Sequence, residues 1–468
     1  MVWEDEPMGI LRWLFGLVLL LLVGLGLAYY GAGKMSGPVI EIDTRPVVGQ
    51  QSPITVTVSS PGRQLDALTI QIEQGGQTFP VYALGPGTEP PPSSDLTDRI
   101  QIKRTIGKKT IPQLQPGTAT IVVTASRPVL RGLRHLTSRA TTNVRLRFDP
   151  PRVAVVSTKH YINLGGSEMV VYRVTPPDVQ SGVKVGELTY PGFAAAGAGL
   201  SSDPSLKVAF FALLYDQKIS TPMELYATDD AGNEAHAQFD HQVFPKKFKI
   251  SRISLDDQLL GRVVPAILQG SPELAVLAPS GDLLPAFLKI NSDLRRMNAE
   301  KIAALAQKTA SAMLWKGAFL PLAGSQVEAA FADFRTYFYG GKEVDKQVHL
   351  GFDLARVVNS PISAANEGTV LYARDLGIYG NCVILDHGMG VQSLYGHMSS
   401  FQVQEGHEVH KGQTIGVTGQ TGLAGGDHLH FSMMVYGRFV NATEWWDPHW
   451  IEDRVMRKLK EAGAVVAQ

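Results

Sequence analysis

Two short motifs of histidine and aspartate frame the stretch of sequence that decides the fold, His349-Leu-Gly-Phe-Asp353 and Asp427-His428-Leu-His430-Phe431. Short runs typical of β-strands join them. Side chains two or four positions apart in a strand emerge on the same face. His428 and His430 are therefore expected to point the same way, as are His349 and Asp353. Two such clusters in one domain predict a metal site.

Gly351 lies between His349 and Asp353. In a flat strand the Cα atoms of these two residues would be about 13 Å apart, at about 3.3 Å per residue. That separation is too wide for both side chains to bind one ion. We therefore expect the backbone to bend at Gly351, because glycine adopts conformations that other residues avoid.

The residue types fit a particular metal. Imidazole nitrogen and carboxylate oxygen are ligands of zinc, and a catalytic zinc has three protein ligands and a fourth position for water. Two histidines and one aspartate meet this requirement. The motif Tyr395-Gly-His397-Met, between the two clusters, strengthens the prediction.

Together these residues resemble the lysostaphin/LytM-type zinc metallopeptidases, which have the duplicated hybrid motif fold and cut peptide bonds in bacterial cell walls. The resemblance covers about residues 335–450. It rests on the motifs already quoted and on the Gly-rich run Gly419-Gln-Thr-Gly422. It implies one zinc ion per chain, bound by His349, Asp353 and His430.

By the same resemblance, His397 and His428 are catalytic histidines outside the ligand set. Ser432 is a departure, since relatives often have glutamate there, and we expect it to leave the ligands undisturbed. No His-Glu-x-x-His motif supplies a glutamate base. The two histidines must therefore orient and deprotonate the water or hydrogen-bond the oxyanion, and the sequence leaves open which is the base.

The function implied is hydrolysis of peptide bonds in the cross-links or stem peptides of bacterial peptidoglycan by a zinc-activated water. One alternative is a non-catalytic wall-binding scaffold that activates a separate amidase, against which the five intact motif positions argue. Another is a zinc peptidase that acts on a protein substrate. The surroundings of the groove would decide the bond that is cut, and they lie on loops that the motifs do not place.

Composition excludes few classes of protein. The chain has 468 residues, of which 44% are hydrophobic, and its 43 basic residues balance 43 acidic ones. We predict no nucleic-acid partner, because a polyanion binder usually has a basic excess. Cys382 is the only cysteine, so no intramolecular disulfide forms. It is expected to be a small buried residue on a strand.

Residues Trp13–Tyr30 carry no charge and are rich in Leu and Val. At a rise of 1.5 Å per residue they span about 27 Å, close to the hydrocarbon thickness of a bilayer. A cleaved signal peptide is the rival interpretation, but Glu4, Asp5 and Glu6 make a poor basic leader. We predict a single-pass protein of the bacterial inner (cytoplasmic) membrane, with its C-terminal domains in the periplasm or cell-wall space.

The predicted fold is mainly β: an N-terminal transmembrane helix, two β-sandwich-like modules, a helical connector and a C-terminal β-rich LytM-type peptidase domain. Alternating runs such as Ile54–Val58 and Ala119–Val123 indicate the sandwich strands. The predicted segments are an N-terminal tail and anchor at 1–35, the modules at 36–149 and 150–246, the connector at 247–330, the peptidase domain at 331–455 and a tail at 456–468.

The connector is predicted to be helical over Asp282–Arg296, and Asn298 to cap a second helix. It could cover the groove or dock an unidentified protein regulator. Basic residues between Lys103 and Arg147 are interpreted as solvated strand edges, with contact to anionic lipid or wall carboxylates as the alternative. The run Asp229–Asn233 predicts a turn rather than a calcium loop.

Other chemically distinctive residues receive ordinary interpretations. A group of four histidines is predicted to lie on the surface or in turns: His387, His407, His410 and His449. Three tryptophans are predicted to pack the C-terminal end, with stacking on sugar rings as the alternative: Trp445, Trp446 and Trp450. The proline-rich segment Gly85–Ser94 is predicted to be an exposed loop.

Overall fold

A computed structural model describes residues 7–61, 65–85, 98–271 and 283–466 of the chain. The fold is mainly β, as the sequence predicted. The chain divides into two compact units, one of Met1–Pro150 with Thr228–Glu234 and one of Pro151–Ala227 with Ala235–Gln468. The proline-rich loop predicted after Gly85 lies outside the described residues.

The N-terminal helix Pro7–Ala32 contains the apolar stretch that the sequence singled out. Its segment Arg12–Ala32 has a mean hydropathy of 2.2, and its residues are exposed up to Gly31, whereas Ala32 is buried. In the described part of the chain it is the one helix whose length and composition suit a membrane span. A signal sequence near the N-terminus would have the same properties.

Two sheets with a shared core form the β-structure of the first unit. The three-stranded sheet has the order Val39–Thr44, Ser52–Ser59, Arg99–Ile106. The five-stranded sheet has the order Val47–Val48, Arg134–Leu146, Gly117–Val129, Ala67–Gln74, Gln77–Leu84, with a 3-10 turn at Leu130–Gly132. Alternate residues such as Ile54, Val56 and Val58 are buried between the sheets. This alternation is what a half-buried strand requires.

The second unit begins with another β-rich segment. One sheet has the order Phe193–Ala194, Leu206–Ala212, Ser167–Thr175, Arg152–Val155, and another has the order Leu188–Pro191, Gln180–Val185, Met223–Thr228, Glu234–Gln238. A parallel pair joins His160–Asn163 to His241–Phe244, and a 3-10 turn covers Ala195–Ala198.

The run Asp229–Asn233 is a turn, as predicted. The Asp229 side chain accepts hydrogen bonds from the backbone N–H groups of Ala231 and Asn233, at 3.0 and 2.8 Å. Its other oxygen pairs with Arg147 at 3.2 Å. The carboxylate is therefore used to hold the turn, in the way that aspartate commonly stabilises such loops.

The segment predicted as a helical connector contains helices at Asp257–Gly270 and Leu283–Lys289, a π-helical stretch at Ile290–Leu294 and a helix at Arg295–Ala306. The last three are continuous, so the prediction of an N-cap at Asn298 is wrong. Asn298 lies inside the helix, and its side chain accepts a hydrogen bond from the backbone N–H of Ile378 at 3.0 Å. Asparagine can act as a helix cap or as a buried hydrogen-bond acceptor, so the residue type alone did not distinguish the two roles.

The connector also begins and ends with strands. Its first strand, Ile250–Leu255, pairs in parallel with Asp333–Tyr339, which pairs with Lys342–His349. Its last strand, Gln326–Ala329, is an edge of the large sheet that follows. The connector is thus built into the C-terminal β-structure.

The C-terminal sheet has the order Gln326–Ala329, Phe352–Ala355, Leu429–Val435, Val391–Met398, Asn381–Gly388, Gly368–Asp375, Glu408–Val409, and Arg438–Val440 pairs with Leu429–Val435. A smaller sheet has the order Pro361–Ser363, Thr414–Val417, Ser400–Phe401, and a 3-10 turn covers Gly377–Tyr379. Cys382 is fully buried on its strand, which confirms the prediction for the thiol.

The chain ends in helices at Ala442–Trp446, Pro448–Ile451 and Arg457–Val466, with a π-helical stretch at Glu452–Met456. The segment predicted as a C-terminal tail at 456–468 contains the helix Arg457–Val466. Trp445 is fully buried and packs against Trp315 and Phe319, which confirms its predicted packing role.

A buried ion pair fastens the last helix to the β-rich segment. The Lys458 ammonium donates to Glu168 Oε1 at 2.6 Å and to the Met169 carbonyl at 3.0 Å. Glu168 is fully buried, and its other oxygen accepts the backbone N–H of Tyr161 at 2.9 Å. A buried carboxylate needs such partners, because transfer out of water removes its hydration.

Replacement of Lys458 by methionine should destabilise the second unit by about 3–5 kcal/mol, because Glu168 would remain buried without its charge partner. Thermal unfolding of the full chain in detergent, followed by calorimetry, measures the effect. Lys460→Met is the matched control, since Lys460 pairs with Glu452 at the surface, where both side chains are exposed. Equal shifts in Tm for the two variants would contradict the role of the buried pair.

Candidate metal centre

Three neighbouring strands of the large sheet and one strand of the adjoining sheet bring the predicted site residues together. Asp353, on Phe352–Ala355, is the cross-strand partner of His430, on Leu429–Val435. On its other side His430 is paired with Gly396, the residue before His397. His349 ends the strand Lys342–His349 of the adjoining sheet. The strand order of the sheet therefore assembles residues that are far apart in sequence.

The chain breaks its strand between His349 and Phe352, so the predicted bend is present. The reason for Gly351 differs from the prediction, because its backbone does not adopt a left-handed conformation. A Cβ atom there would lie 2.5 Å from His430 Nε2 and 2.6 Å from Ser432 Oγ. Glycine is required because the imidazole of His430 packs directly on the backbone.

The three residues predicted to bind zinc form one compact group. Asp353 Oδ1 lies 2.8 Å from His349 Nε2 and 3.0 Å from His430 Nδ1. The two histidine nitrogens are 3.1 Å apart. One donor atom from each residue lies within 4.8 Å of the others. The donor atoms converge on a single point, as one ion would require.

Hydrogen bonds on the far side of each imidazole set its tautomer. His349 Nδ1 donates to the Ala330 carbonyl at 3.2 Å, which leaves Nε2 unprotonated and facing Asp353. Ser432 Oγ donates to the Leu350 carbonyl at 2.8 Å, so its oxygen accepts from His430 Nε2 at 3.1 Å. That leaves His430 Nδ1 free to bind a metal. Such outer contacts orient metal-binding histidines in proteins.

The sequence analysis did not identify Arg335. Its Nη2 donates to Asp353 Oδ2 at 3.2 Å and its Nε donates to Asp333 Oδ2 at 3.2 Å. Arg335 therefore holds one carboxylate oxygen of Asp353 and leaves the other facing the histidines. The alternation in Asp333-Phe-Arg335 places both charges on one face of a strand, but only the packing of two sheets brings that face to Asp353.

His397 and His428 lie beside the group, with ring centroids 4.8 Å apart. His397 Nδ1 donates to the Thr421 carbonyl at 2.7 Å, and His428 Nδ1 donates to the Gly426 carbonyl at 2.9 Å. Each Nε2 is then available for other contacts, and that of His428 lies 3.4 Å from Asp353 Oδ1. His397 has φ 62°, a left-handed conformation that non-glycine residues seldom adopt.

Burial and neighbouring charge shift the pKa values in opposite directions. Burial, together with His428 and His430, holds the pKa of His397 well below its usual range. Burial also lowers the pKa of His428, but its contact with Asp353 outweighs this effect and raises it. Burial lowers the pKa of His430 to about 4. For Asp353, burial opposes ionisation, yet the histidines around it hold its pKa well below the usual value.

The site opens into a cavity of about 380 Å³. The connector supplies part of its lining, including Leu259, Val263 and Phe287. Arg262 fastens the helix Asp257–Gly270 to the opposite loop by donating to the carbonyls of Ala424 and Gly425, both at 2.9 Å. The connector thus forms a wall of the cavity, and docking of a regulator stays a hypothesis.

Two further polar residues of the domain, Asp427 and His387, have structural contacts. Asp427 Oδ1 accepts the Thr418 hydroxyl at 2.6 Å. His387 was predicted to lie at the surface or in a turn, which is wrong. It is fully buried on a strand and contacts the Glu367 carbonyl at 2.6 Å and the Ser393 hydroxyl at 2.8 Å. Sequence gave no sign of this burial because turn residues flank His387 on one side.

The donor set fits zinc. Two imidazole nitrogens and one carboxylate oxygen are the ligands of many catalytic zinc sites, which leave a further position open. A second hydrogen bond on each of the three residues leaves its donor atom available or holds it in position. The group faces a cavity. These features define a metallohydrolase-type centre in a β-sheet domain.

Comparison with known proteins assigns the domain to a family. Residues 347–442 match the family described as Peptidase family M23. The chain therefore carries an M23 peptidase domain, of the LytM/lysostaphin family, at its C-terminal end.

Several known proteins are similar to this part of the chain. The peptidoglycan DD-endopeptidase ShyA of Vibrio cholerae is 38% identical over 96 residues, which are 20% of this chain and 22% of the relative. The DD-carboxypeptidase/endopeptidase Mpg of Neisseria meningitidis is 38% identical over 95 residues, with the same coverage. The chain thus matches about a fifth of the length of these curated relatives. The catalytic domain of lysostaphin from Staphylococcus simulans is 24% identical, covers 28% of this chain and 98% of its own, and has a TM-score of 0.24.

Replacement of Gly351 by alanine should lower zinc affinity at least about 10-fold, the lower end of what outer contacts of a metal site contribute. The new methyl group would collide with His430 and displace Nδ1 from the group. Competition with a chelator measures the affinity. Gly425→Ala is the control, because no atom lies within 4 Å of a Cβ atom at that position. Unchanged zinc affinity in Gly351→Ala would contradict the role of Gly351 in positioning His430.

Proposed function

We propose that this protein is a membrane-anchored zinc metalloendopeptidase that hydrolyses peptide bonds in the cross-links or stem peptides of bacterial peptidoglycan. The observation that carries the proposal is the convergence of His349, Asp353 and His430 on one point, with His397 and His428 beside them. The M23 family and the names of the relatives support the same substrate. A decayed, non-catalytic domain would have no need for all five side chains.

Each side chain has a defined part in the proposed reaction. His349, Asp353 and His430 would hold one zinc ion, which supplies Lewis-acid polarisation of the scissile carbonyl and lowers the pKa of bound water. His397 and His428 each keep Nε2 available, because a backbone carbonyl holds the proton on Nδ1. One can accept the proton of the attacking water on its unprotonated Nε2. The other can donate a hydrogen bond to the developing oxyanion when it carries a second proton, on Nε2.

The proposed location rests on the helix Pro7–Ala32 and on the substrate. The helix would anchor the chain in the inner membrane, and the C-terminal domains would lie in the periplasm or cell-wall space. A protein that cuts peptidoglycan must place its catalytic domain there.

The full chain in detergent, loaded with one equivalent of zinc, should cut peptide bonds in purified peptidoglycan. Mass spectrometry of the treated material, after its glycan strands are digested, would identify the new amine and carboxyl ends and hence the bond that is cut. The ends should disappear on chelation and return when zinc is restored. His349→Ala should be inactive, whereas His410→Ala, which changes an exposed histidine of the same domain, should be active. Absence of new ends after treatment with the zinc-loaded protein would refute the hydrolase proposal.

Replacement of His397 or His428 by alanine should leave zinc bound and lower turnover by about 10²–10⁴-fold, the range that proton transfer by one side chain contributes. His430→Ala should instead lose the metal. Zinc stoichiometry and the rate of peptide-bond cleavage are measured on the same preparations. Loss of zinc in His428→Ala with retention in His430→Ala would mean that these two histidines have the opposite roles.

A further inference from the structure

The cavity beside the metal centre contains an arginine that the proposed reaction does not use. Arg295 belongs to the connector, outside residues 347–442 that match the M23 family. It lines the same cavity as His349, Asp353 and His430. Much of the remaining lining is apolar and includes Leu255, Leu259, Val263, Phe287, Ile378 and Leu423.

A local irregularity of the helix positions Arg295. The residue directly follows the π-helical stretch Ile290–Leu294, and its backbone N–H donates to the carbonyls of Ile290 and Ser292. The carbonyl of Asn291, which an ordinary α-helix would pair with that N–H, accepts the Arg295 Nε at 3.2 Å. Irregular turns of this kind are frequent at functional sites.

A second contact fixes the guanidinium group. Arg295 Nη2 donates to Asn291 Oδ1 at 2.7 Å, and Asn291 Nδ2 donates to Asp345 Oδ2 at 2.7 Å. Asn291 is fully buried, so its amide can adopt few other positions. The arginine is therefore pre-oriented by a neutral amide rather than by a direct ion pair.

Arg295 differs in this respect from Arg335, which also lines the cavity. Arg335 contacts the carboxylates of Asp333 and Asp353. Throughout the described ranges of the chain, no carboxylate lies within 4.0 Å of the Arg295 guanidinium. Glu328 also lines the cavity, but it does not form such a pair. A half-buried cation in an apolar cavity is poorly solvated, so pairing with an anion would stabilise it.

Arg295 is also close to the metal centre through one aromatic residue. Tyr379 packs against His430, with ring centroids 5.4 Å apart. Burial raises the pKa of Tyr379, and the positive charge of Arg295 opposes that rise. The guanidinium is therefore close enough to interact electrostatically with the phenol. Because Arg295, Tyr379 and the metal centre line one cavity, a peptide held at the centre can reach the guanidinium.

We propose that Arg295 binds a free carboxylate of the substrate peptide, on a residue close to the scissile bond. A planar guanidinium binds a carboxylate through paired hydrogen bonds, which gives strength and orientation. The connector would thus add a carboxylate subsite to the M23 centre and select acidic peptides. This inference rests on the proposed peptidase function.

The test compares two forms of the protein on two substrates. The full chain and its Arg295→Gln variant, both in detergent with zinc, are given a synthetic cross-linked stem-peptide dimer with its carboxylate next to the cross-link either free or amidated. The wild-type protein should cut the free acid about 10–100-fold more efficiently by kcat/KM, the value of a charged hydrogen bond or pair. Arg295→Gln should lose that preference, because its kcat/KM for the free acid should fall to about that for the amide.

Two further variants serve as controls. Arg296→Gln removes the adjacent arginine, which is exposed and pairs with Glu300 at 2.6 Å, and should keep the wild-type preference. Arg295→Lys keeps the charge without the paired donors and should restore part of the preference. Zinc content and Tm of every variant verify that the centre and the fold are intact.

Three outcomes would refute the inference, and they distinguish its failure from failure of the proposed function. If the wild-type protein cuts both peptides equally well, the carboxylate subsite is refuted while the peptidase function stands. If Arg295→Gln is impaired by the same factor on both peptides, Arg295 has a structural role and the inference is also refuted. If the wild-type protein cuts neither these peptides nor purified peptidoglycan, the proposed function fails and the inference fails with it.

Discussion

The contact of the Asp353 carboxylate with the imidazoles around it is the interaction on which the rest of the site depends. The carboxylate is largely buried, and a buried charge is tolerated only with partners. His349 and His430 face one oxygen, whereas Arg335 holds the other. These partners come from separate strands, so the sheet must pair in this register before the group exists. The same register excludes a side chain at Gly351.

The centre extends beyond the sequence that defines its family. The five motif residues lie within residues 347–442, but Arg335 and the connector wall lie before them. The strand Ile250–Leu255 pairs with the strand that carries Arg335, so the connector and the outer contacts of Asp353 form one piece of structure. A family domain can thus keep its reactive groups while the preceding segment shapes the space around them. In this chain that segment adds an apolar wall and Arg295.

The predictions from sequence agree with the structure where the interactions are local in the chain and fail where the partners are distant. Local patterns were interpreted correctly: the mainly β fold, the buried Cys382 and the turn at Asp229 depend on neighbouring residues. Errors arose where a polar residue has a distant partner. Asn298 was taken for a helix cap, but it binds the backbone of Ile378. His387 was predicted to lie at the surface or in a turn, but it binds the carbonyl of Glu367 in the core. The helix at Arg457–Val466 was missed because its contacts lie on a remote β-segment.

The sequence by itself determined the chemistry of the candidate centre, namely which residue types could bind a metal and which pairs share a face of a strand. A period of two fixes the face of each side chain, so His428 and His430 could be assigned together. Only the tertiary structure decided which nitrogen of each imidazole is free, why position 351 must be glycine, and that Arg335 and the connector belong to the site. Those features depend on carbonyls and side chains far apart in the chain, and strand alternation contains no information about which strands become neighbours.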